Sequence, residues 1–150
     1  MRRNDKKAAE LGQLELFRKC RPSDLRRLAS IADKVTFEPG EVLCQEGRKG
    51  HDCYVIANGE AEVSVGGQSV AVVGRGDVVG EIAVLDGGRR TASVVAVDEV
   101  HTYAIEQRRV DDLLERAPAI ARAMLEQLSN RLRHLDEQLA ATSVPGSRRP

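Results

Sequence analysis

The spacing of apolar positions changes period twice along these 150 residues. Near the N-terminus Leu11, Leu14, Leu16 and Phe17 predict a short helix from about Ala8 that runs into an irregular apolar turn. Pro22 suits a first helical position, Asp24 lies where the helix dipole favours a negative charge, and Leu25, Leu28, Ala29 and Ala32 repeat on one face. A second short helix is therefore expected to end near Lys34, with a soft start because Arg21 is a poor N-cap.

After Val35 the period becomes two. Glu38-Pro39-Gly40-Glu41 is turn chemistry between short apolar runs, and Asn58-Gly59 is the strongest two-residue hairpin signal in the chain. It is predicted to pair a strand over 53–57 with one over 60–65. In the latter, Ala61, Val63 and Val65 alternate with Glu60, Glu62 and Ser64, so Val63 and Val65 are expected to face inward. Gly66-Gly67 marks another hairpin into a strand over 70–73. Gly74-Arg75-Gly76-Asp77 breaks that strand, and Val78-Val79 follows. Two further apolar runs, 93–97 and 100–105, flank Asp98-Glu99. This density of short strands predicts a small antiparallel β-roll or sandwich.

The last third returns to helical spacing. Val110, Leu113, Leu114 and Ala117 share a face, Pro118 ends that helix or starts the next, and a longer helix is expected over 119–140. Leu125, Leu128, Leu132, Leu135 and Leu139 form a seam on it that can pack on the roll or pair with a twin. The expected organisation is an N-terminal helical segment at 1–21, a β-roll at 22–118, a closing helix at 119–140 and a disordered tail at 141–150, making one domain overall.

Composition narrows the function classes. Equal numbers of basic and acidic residues, 23 of each, leave no global attraction for nucleic acid or anionic membrane, so an anion site must be local. Two Phe, two Tyr and no Trp argue against a base-stacking platform. No apolar run approaches a membrane span and no apolar stretch follows the basic N-terminus, so a cytoplasmic protein without membrane insertion is expected. Cys20, Cys44 and Cys53 have no metal-binding spacing and read as small buried hydrophobes. His51, His101 and His134 fall on separate predicted elements, so no metal centre, cofactor or nucleophile-base arrangement is expected.

The chemistry concentrates in residues 80–92, GEIAVLDGGRRTA. If Gly80 to Leu85 forms a short helix leaving a strand, its first N–H groups point outward and accept an anion, and Gly80 permits close approach. Arg90 can present two parallel donors to a phosphate. Glu81 would repel that ligand unless offered a donor, and a ribose hydroxyl is one. The same residues also fit a helix-terminal glutamate paired with a surface arginine.

This stretch resembles the phosphate-binding cassette of the cyclic nucleotide-binding domain family. Gly80, Glu81, Ile82, Ala83, Val84 and Leu85 match its first half without a gap, and Arg90, Thr91 and Ala92 its second. The resemblance extends from about Leu14 to Leu139, through the Pro-Gly-Glu turn at Pro39 and the Asn-Gly-Glu turn at Asn58. It implies a β-roll with N-terminal helices, a short cassette helix and two C-terminal helices, binding cAMP or cGMP. It also implies that Arg90 holds the cyclic phosphate, that Glu81 holds the ribose 2′-hydroxyl, and that the N–H groups of Ala83 and Thr91 complete the cradle.

By the same resemblance Val63 and Val65 would pack against ribose and base, and the last helix would close the pocket with Leu128, Arg131 and Leu132. Arg131 equally fits a solvated charge at the seam edge. Arg89 stands where many members have proline, and Thr91 where many cAMP-preferring members have alanine, so both nucleotides stay open. Members that regulate transcription carry a helix-turn-helix after the long helix; none follows here, so DNA binding is not expected. The expectation is a sensor without catalytic activity, signalling through an effector protein or a homodimer along the C-terminal helix. The alternative is a module with the same fold that binds a partner and no nucleotide.

Overall fold

The computed structural model describes residues 3–80 and 87–141. Three helical pieces come first: α1 (Arg3–Gly12), a 3-10 turn (Glu15–Phe17) and α2 (Pro22–Ile31). Eight strands follow: β1 (Ala32–Phe37), β2 (Val42–Cys44), β3 (Asp52–Asn58), β4 (Ala61–Val65), β5 (Gln68–Val73), β6 (Val78–Val79), β7 (Ser93–Ala96) and β8 (Val100–Glu106). Two helices, α3 (Gln107–Arg116) and α4 (Pro118–Ala141), close the described chain. The strands form two antiparallel four-stranded sheets in the orders β1-β8-β3-β6 and β2-β7-β4-β5. The β-roll with flanking helices is the fold that the family resemblance implied, and it decides between the roll and the sandwich that the strand pattern left open.

The architecture has three layers, because the first sheet is buried on both faces. Cys53, Val55, Val78, Tyr103 and Ile105 pack against Leu11, Phe17, Leu28, Leu113 and Ile120 of the helical layer. Ile56, Val79 and Val100 point the other way, onto Leu43, Ala61, Val73, Val94 and Ala96 of the second sheet. Full burial of each Val, Leu, Ile or Phe among them contributes about 1.5 to 3 kcal/mol, so both interfaces hold the roll shut. β6 therefore presents Val78 to the helices and Val79 to the roll interior, and then ends at Gly80.

Several boundaries differ from the sequence expectation. α2 stops at Ile31, short of Lys34, because Ala32 already has extended backbone and begins pairing with Ile105. The start of α2 is secured by the buried Asp24 carboxylate, which accepts the Arg21 N–H at 3.1 Å. Asn58-Gly59 does not close a hairpin: β3 pairs with β8 and β6, β4 pairs with β5 and β7, and the turn carries the chain from one sheet to the other. Gly59, at φ +90, is required by that crossing, since a Cβ there would lie 2.2 Å from the Glu99 carbonyl oxygen. Gly66-Gly67 does form the expected hairpin, joining Val65 to Gln68 with both glycines at positive φ.

Val65 corrects the inward expectation, being 45% exposed, while Val63 is half-buried against the second-sheet core. The pairing of β4 with β7 ends at Ser64 and Ser93, so Val65 projects past its neighbour. Cys44 and Cys53 are buried and Cys20 is half-buried, and none of the three is in a disulfide. Among the described residues no helix is long and apolar enough to cross a membrane, and no group of three potential ligands could hold a metal. The expected cassette helix after Gly80 lies outside the described residues, as does the expected tail at 141–150 except for Ala141, which is the last residue of α4.

α1 is fixed to the roll by a polar cluster. The Glu10 carboxylate accepts the Tyr103 hydroxyl and lies 3.2 Å from Lys34 Nζ, and Lys7 Nζ donates to the Ala29 carbonyl at 2.9 Å. The Tyr103 hydrogen bond, assisted by Lys34, holds the Glu10 carboxyl below the usual carboxylate range despite partial burial. A depressed carboxyl favours the folded state above its unfolded pKa and loses that contribution as pH falls through the folded value. Wild type should therefore lose stability on acidification faster than Glu10→Gln, with the two urea midpoints converging as pH falls through the depressed Glu10 value. Parallel midpoints from neutral to acid pH would show that the cluster does not act this way.

Candidate functional site

The site forms where the loop after β2 meets the segment after Gly87. Lys49 and Arg89 form an isolated antiparallel bridge, the Arg90 N–H donates to the Arg48 carbonyl at 2.8 Å, and the Gly47 N–H donates to the Arg90 carbonyl at 2.9 Å. Extended pairing sends successive side chains to opposite faces. Arg89 consequently lies outside and donates to the Gly47 carbonyl at 2.8 Å, whereas Arg90 turns in and is 8% exposed.

The Arg90 guanidinium is held by main-chain oxygens: one terminal nitrogen donates to the Gly80 carbonyl at 3.1 Å and the other to the Asp52 carbonyl at 2.7 Å. Two of its five N–H donors are thereby used on neutral acceptors, which orient the fork without neutralising its charge. A buried cation aimed by carbonyls is a ready binding group for a phosphate, and such charge-assisted bonds are each worth about 1.5 to 3 kcal/mol.

Two glycines make the slot. A Cβ on Gly80, whose φ is +81, would stand 2.3 Å from a terminal nitrogen of Arg90, and one on Gly50 would stand 2.2 Å from its Nε. The guanidinium lies so close to both backbones that neither position has room for a side chain. Asp52 supplies the carbonyl, and its own carboxyl is pushed up by burial and by nearby Glu106, against the opposing pull of Arg90.

Of the residues singled out from the sequence, Gly80 and Arg90 come together directly. Thr91 is exposed and Ala92 half-buried beside them. Glu81, Ile82 and Ala83, with the rest of the expected cassette turn, lie outside the described residues. On α4, Leu128 and Arg131 are half-buried while Leu132 is 62% exposed. Arg131 is not a solvated seam-edge charge: it donates to the Val78 carbonyl of β6. The leucine seam is otherwise open, with Leu125, Leu135 and Leu139 all more than half exposed.

Sequence reasoning missed Gly50, the Asp52 carbonyl and Gln127. Gly50 carries no motif of its own, and a backbone carbonyl leaves no residue-type signal. Gln127 sits beside Leu128 on the seam, where a polar residue reads as solvated; instead its amide donates to the Gly76 carbonyl and accepts the Val78 N–H, both at 2.8 Å.

Comparison with known proteins gives this geometry a family. The chain is 29% identical over 138 residues to the cyclic AMP receptor protein of Thermus thermophilus, covering 89% of this chain and 64% of that protein. It is 36% identical over 112 residues to the acetyltransferase Pat of Mycolicibacterium smegmatis, covering 72% of this chain and 34% of that protein. The chain thus spans less than two thirds of the length of these relatives. Among solved structures, a cyclic nucleotide-binding domain from Methylobacillus flagellatus KT superposes with a TM-score of 0.80 at 24% identity, covering 93% of this chain and 86% of that one, a likeness of fold. The family model described as cyclic nucleotide-binding domain matches residues 34–117, more than half of the sequence, and takes in both Arg90 and the glycines that seat it; the chain belongs to the cyclic nucleotide-binding domain family.

Proposed function

We propose that the chain is a sensor for a 3′,5′-cyclic nucleotide, with cAMP as the preferred ligand, and that it acts without catalysis of its own. The observation that carries this reading is the buried Arg90 guanidinium, oriented by the Gly80 and Asp52 carbonyls and carrying a charge those acceptors leave uncompensated. A cyclic phosphate monoanion offers two exocyclic oxygens to such a fork. Glu81 then accepts the ribose 2′-hydroxyl, the Ala83 and Thr91 N–H groups complete the phosphate cradle, and Val63 and Val65 lie under ribose and base. Val65 is exposed at the open end of β4, where a base could cover it. The names of relatives favour cAMP, since they include a cyclic AMP receptor protein and cAMP-dependent protein kinase regulatory subunits.

In this reading residues 22–118 hold the ligand and 119–140 form a lid. Ligand binding shifts α4 between two positions in proportion to its differential affinity for them. The exposed leucines of α4 provide a surface for an effector protein or a second copy. Titration calorimetry with cAMP and cGMP tests the proposal: saturable binding of cAMP, tighter than cGMP, is expected. Absence of heat with either nucleotide at about millimolar concentration, where even weak sites register, would favour a partner-binding module.

A further inference from the structure

β6 is the edge strand of the first sheet, so among the described residues one side of its backbone has no strand to pair with. The Ile56 N–H donates to the Asp77 carbonyl at 2.9 Å, and the Gly76 N–H to the Ile56 carbonyl at 2.8 Å. By antiparallel alternation, Val78 between Asp77 and Val79 turns its N–H and C=O away from β3. Both outward groups are met by α4: the N–H by the Gln127 side-chain oxygen at 2.8 Å and the C=O by Arg131. The other end of the Gln127 amide donates to the Gly76 carbonyl at 2.8 Å. Gln127 thus bonds to the edge much as a neighbouring strand would, through one donor and one acceptor.

Position along the strand gives this contact its consequence. Two residues beyond Val78 the chain reaches Gly80, whose carbonyl orients Arg90. The closing helix and the phosphate-binding arginine are therefore attached to the same short piece of backbone. Packing reinforces the attachment, because Val78 is buried among residues that include Ile120 and Met124 of α4.

We propose that Gln127 is a positioning residue that latches α4 to the free edge of β6 and couples the place of the lid to the seat of Arg90. Loss of the latch frees α4 from the edge and loosens the Gly80 carbonyl together with it. The coupling to ligand rests on the cyclic-nucleotide reading above; the latch itself does not.

Hydrogen exchange separates the two. In the full chain without ligand, the Val78 amide should be protected although it faces away from β3, and Gln127→Ala should speed its exchange about 10-fold or more while the Ile56 amide keeps its rate. Gln127→Glu retains an acceptor for the Val78 N–H but cannot donate to Gly76, so Val78 should stay more protected than in Gln127→Ala. Calorimetry on the same variants should show cAMP binding weakened about 3- to 30-fold by Gln127→Ala. Unchanged Val78 exchange in Gln127→Ala would overturn the latch, and faster exchange with unchanged cAMP affinity would overturn the coupling. If wild type bound no cyclic nucleotide, the functional reading and its coupling would fall, whereas the Val78 measurement would still decide the latch.

Discussion

If the proposed function holds, Arg90→Ala should weaken cAMP binding by about 100-fold or more, since it would remove both charge-assisted bonds offered to the cyclic phosphate. The change also leaves the Gly80 and Asp52 carbonyls without the donors that now satisfy them, so some loss of thermal stability should accompany it. Arg90→Lys separates these effects. Lysine keeps the charge but offers no planar fork, so it should bind better than alanine and worse than arginine. Calorimetric affinities should therefore rank arginine above lysine above alanine. An Arg90→Ala protein that stays folded and binds cAMP like wild type would place the phosphate elsewhere.

The second large effect is expected from Gly50→Ala, a residue that need not touch ligand at all. The new methyl would lie 2.2 Å from Arg90 Nε and 2.3 Å from its Cζ, so the side chain must move. Gly50 is not among the glycines with positive φ, so alanine fits its backbone without strain. The displaced atoms belong to the far end of a flexible side chain, and stability should fall by less than about 1 kcal/mol. Affinity should nonetheless drop about 10- to 100-fold, because the fork no longer points where two phosphate oxygens can meet it. Gly80→Ala should lose affinity similarly, but at a larger cost in stability. Its φ of +81 strains any L-residue, and the rigid Asp52 carbonyl stands 3.1 Å from the new methyl. Denaturation midpoints and calorimetric affinities for the pair should thus diverge in the first and track one another in the second. Wild-type affinity in Gly50→Ala would show that Arg90 does not need this slot.

Much of the fold was legible because its signals are local. The Gly66-Gly67 hairpin lies where the structure has it, and the switches from helical spacing to alternation near Val35 and back near Val110 each fall three residues after the observed starts at Ala32 and Gln107. Asn58-Gly59 misled for a physical reason. A hairpin signal describes the turn, whereas the sheet that receives the next strand is decided by distant neighbours, here Glu99 and Val100 packed against Gly59. Arg90 and Gly80, which the structure brings together, were singled out because residue type and spacing express the chemistry proposed for them. Gly50 and Gln127 were not, since their roles arise only when residues 40 or more positions away fold against them. Val65 failed on strand length: alternation predicts a side but not where the covering strand stops.

The first sheet also sets the order in which the molecule can assemble. Its inner strand β8 pairs on one side with β1, Ala32 opposite Ile105, and on the other with β3, Asp52 opposite Glu106. The two strands made early have no common partner until nearly the whole roll has been synthesised. Closure of so long a loop precedes any gain from its contacts, which places folding among the slower, non-local topologies, in the range of about milliseconds to seconds. On the ribosome, a nascent chain ending before β8 would expose the apolar faces of β1 and β3 together. The Asp52 carbonyl that aims Arg90 is carried by β3, which β8 fixes in the sheet, so the pocket acquires its shape only when the late strand β8 arrives.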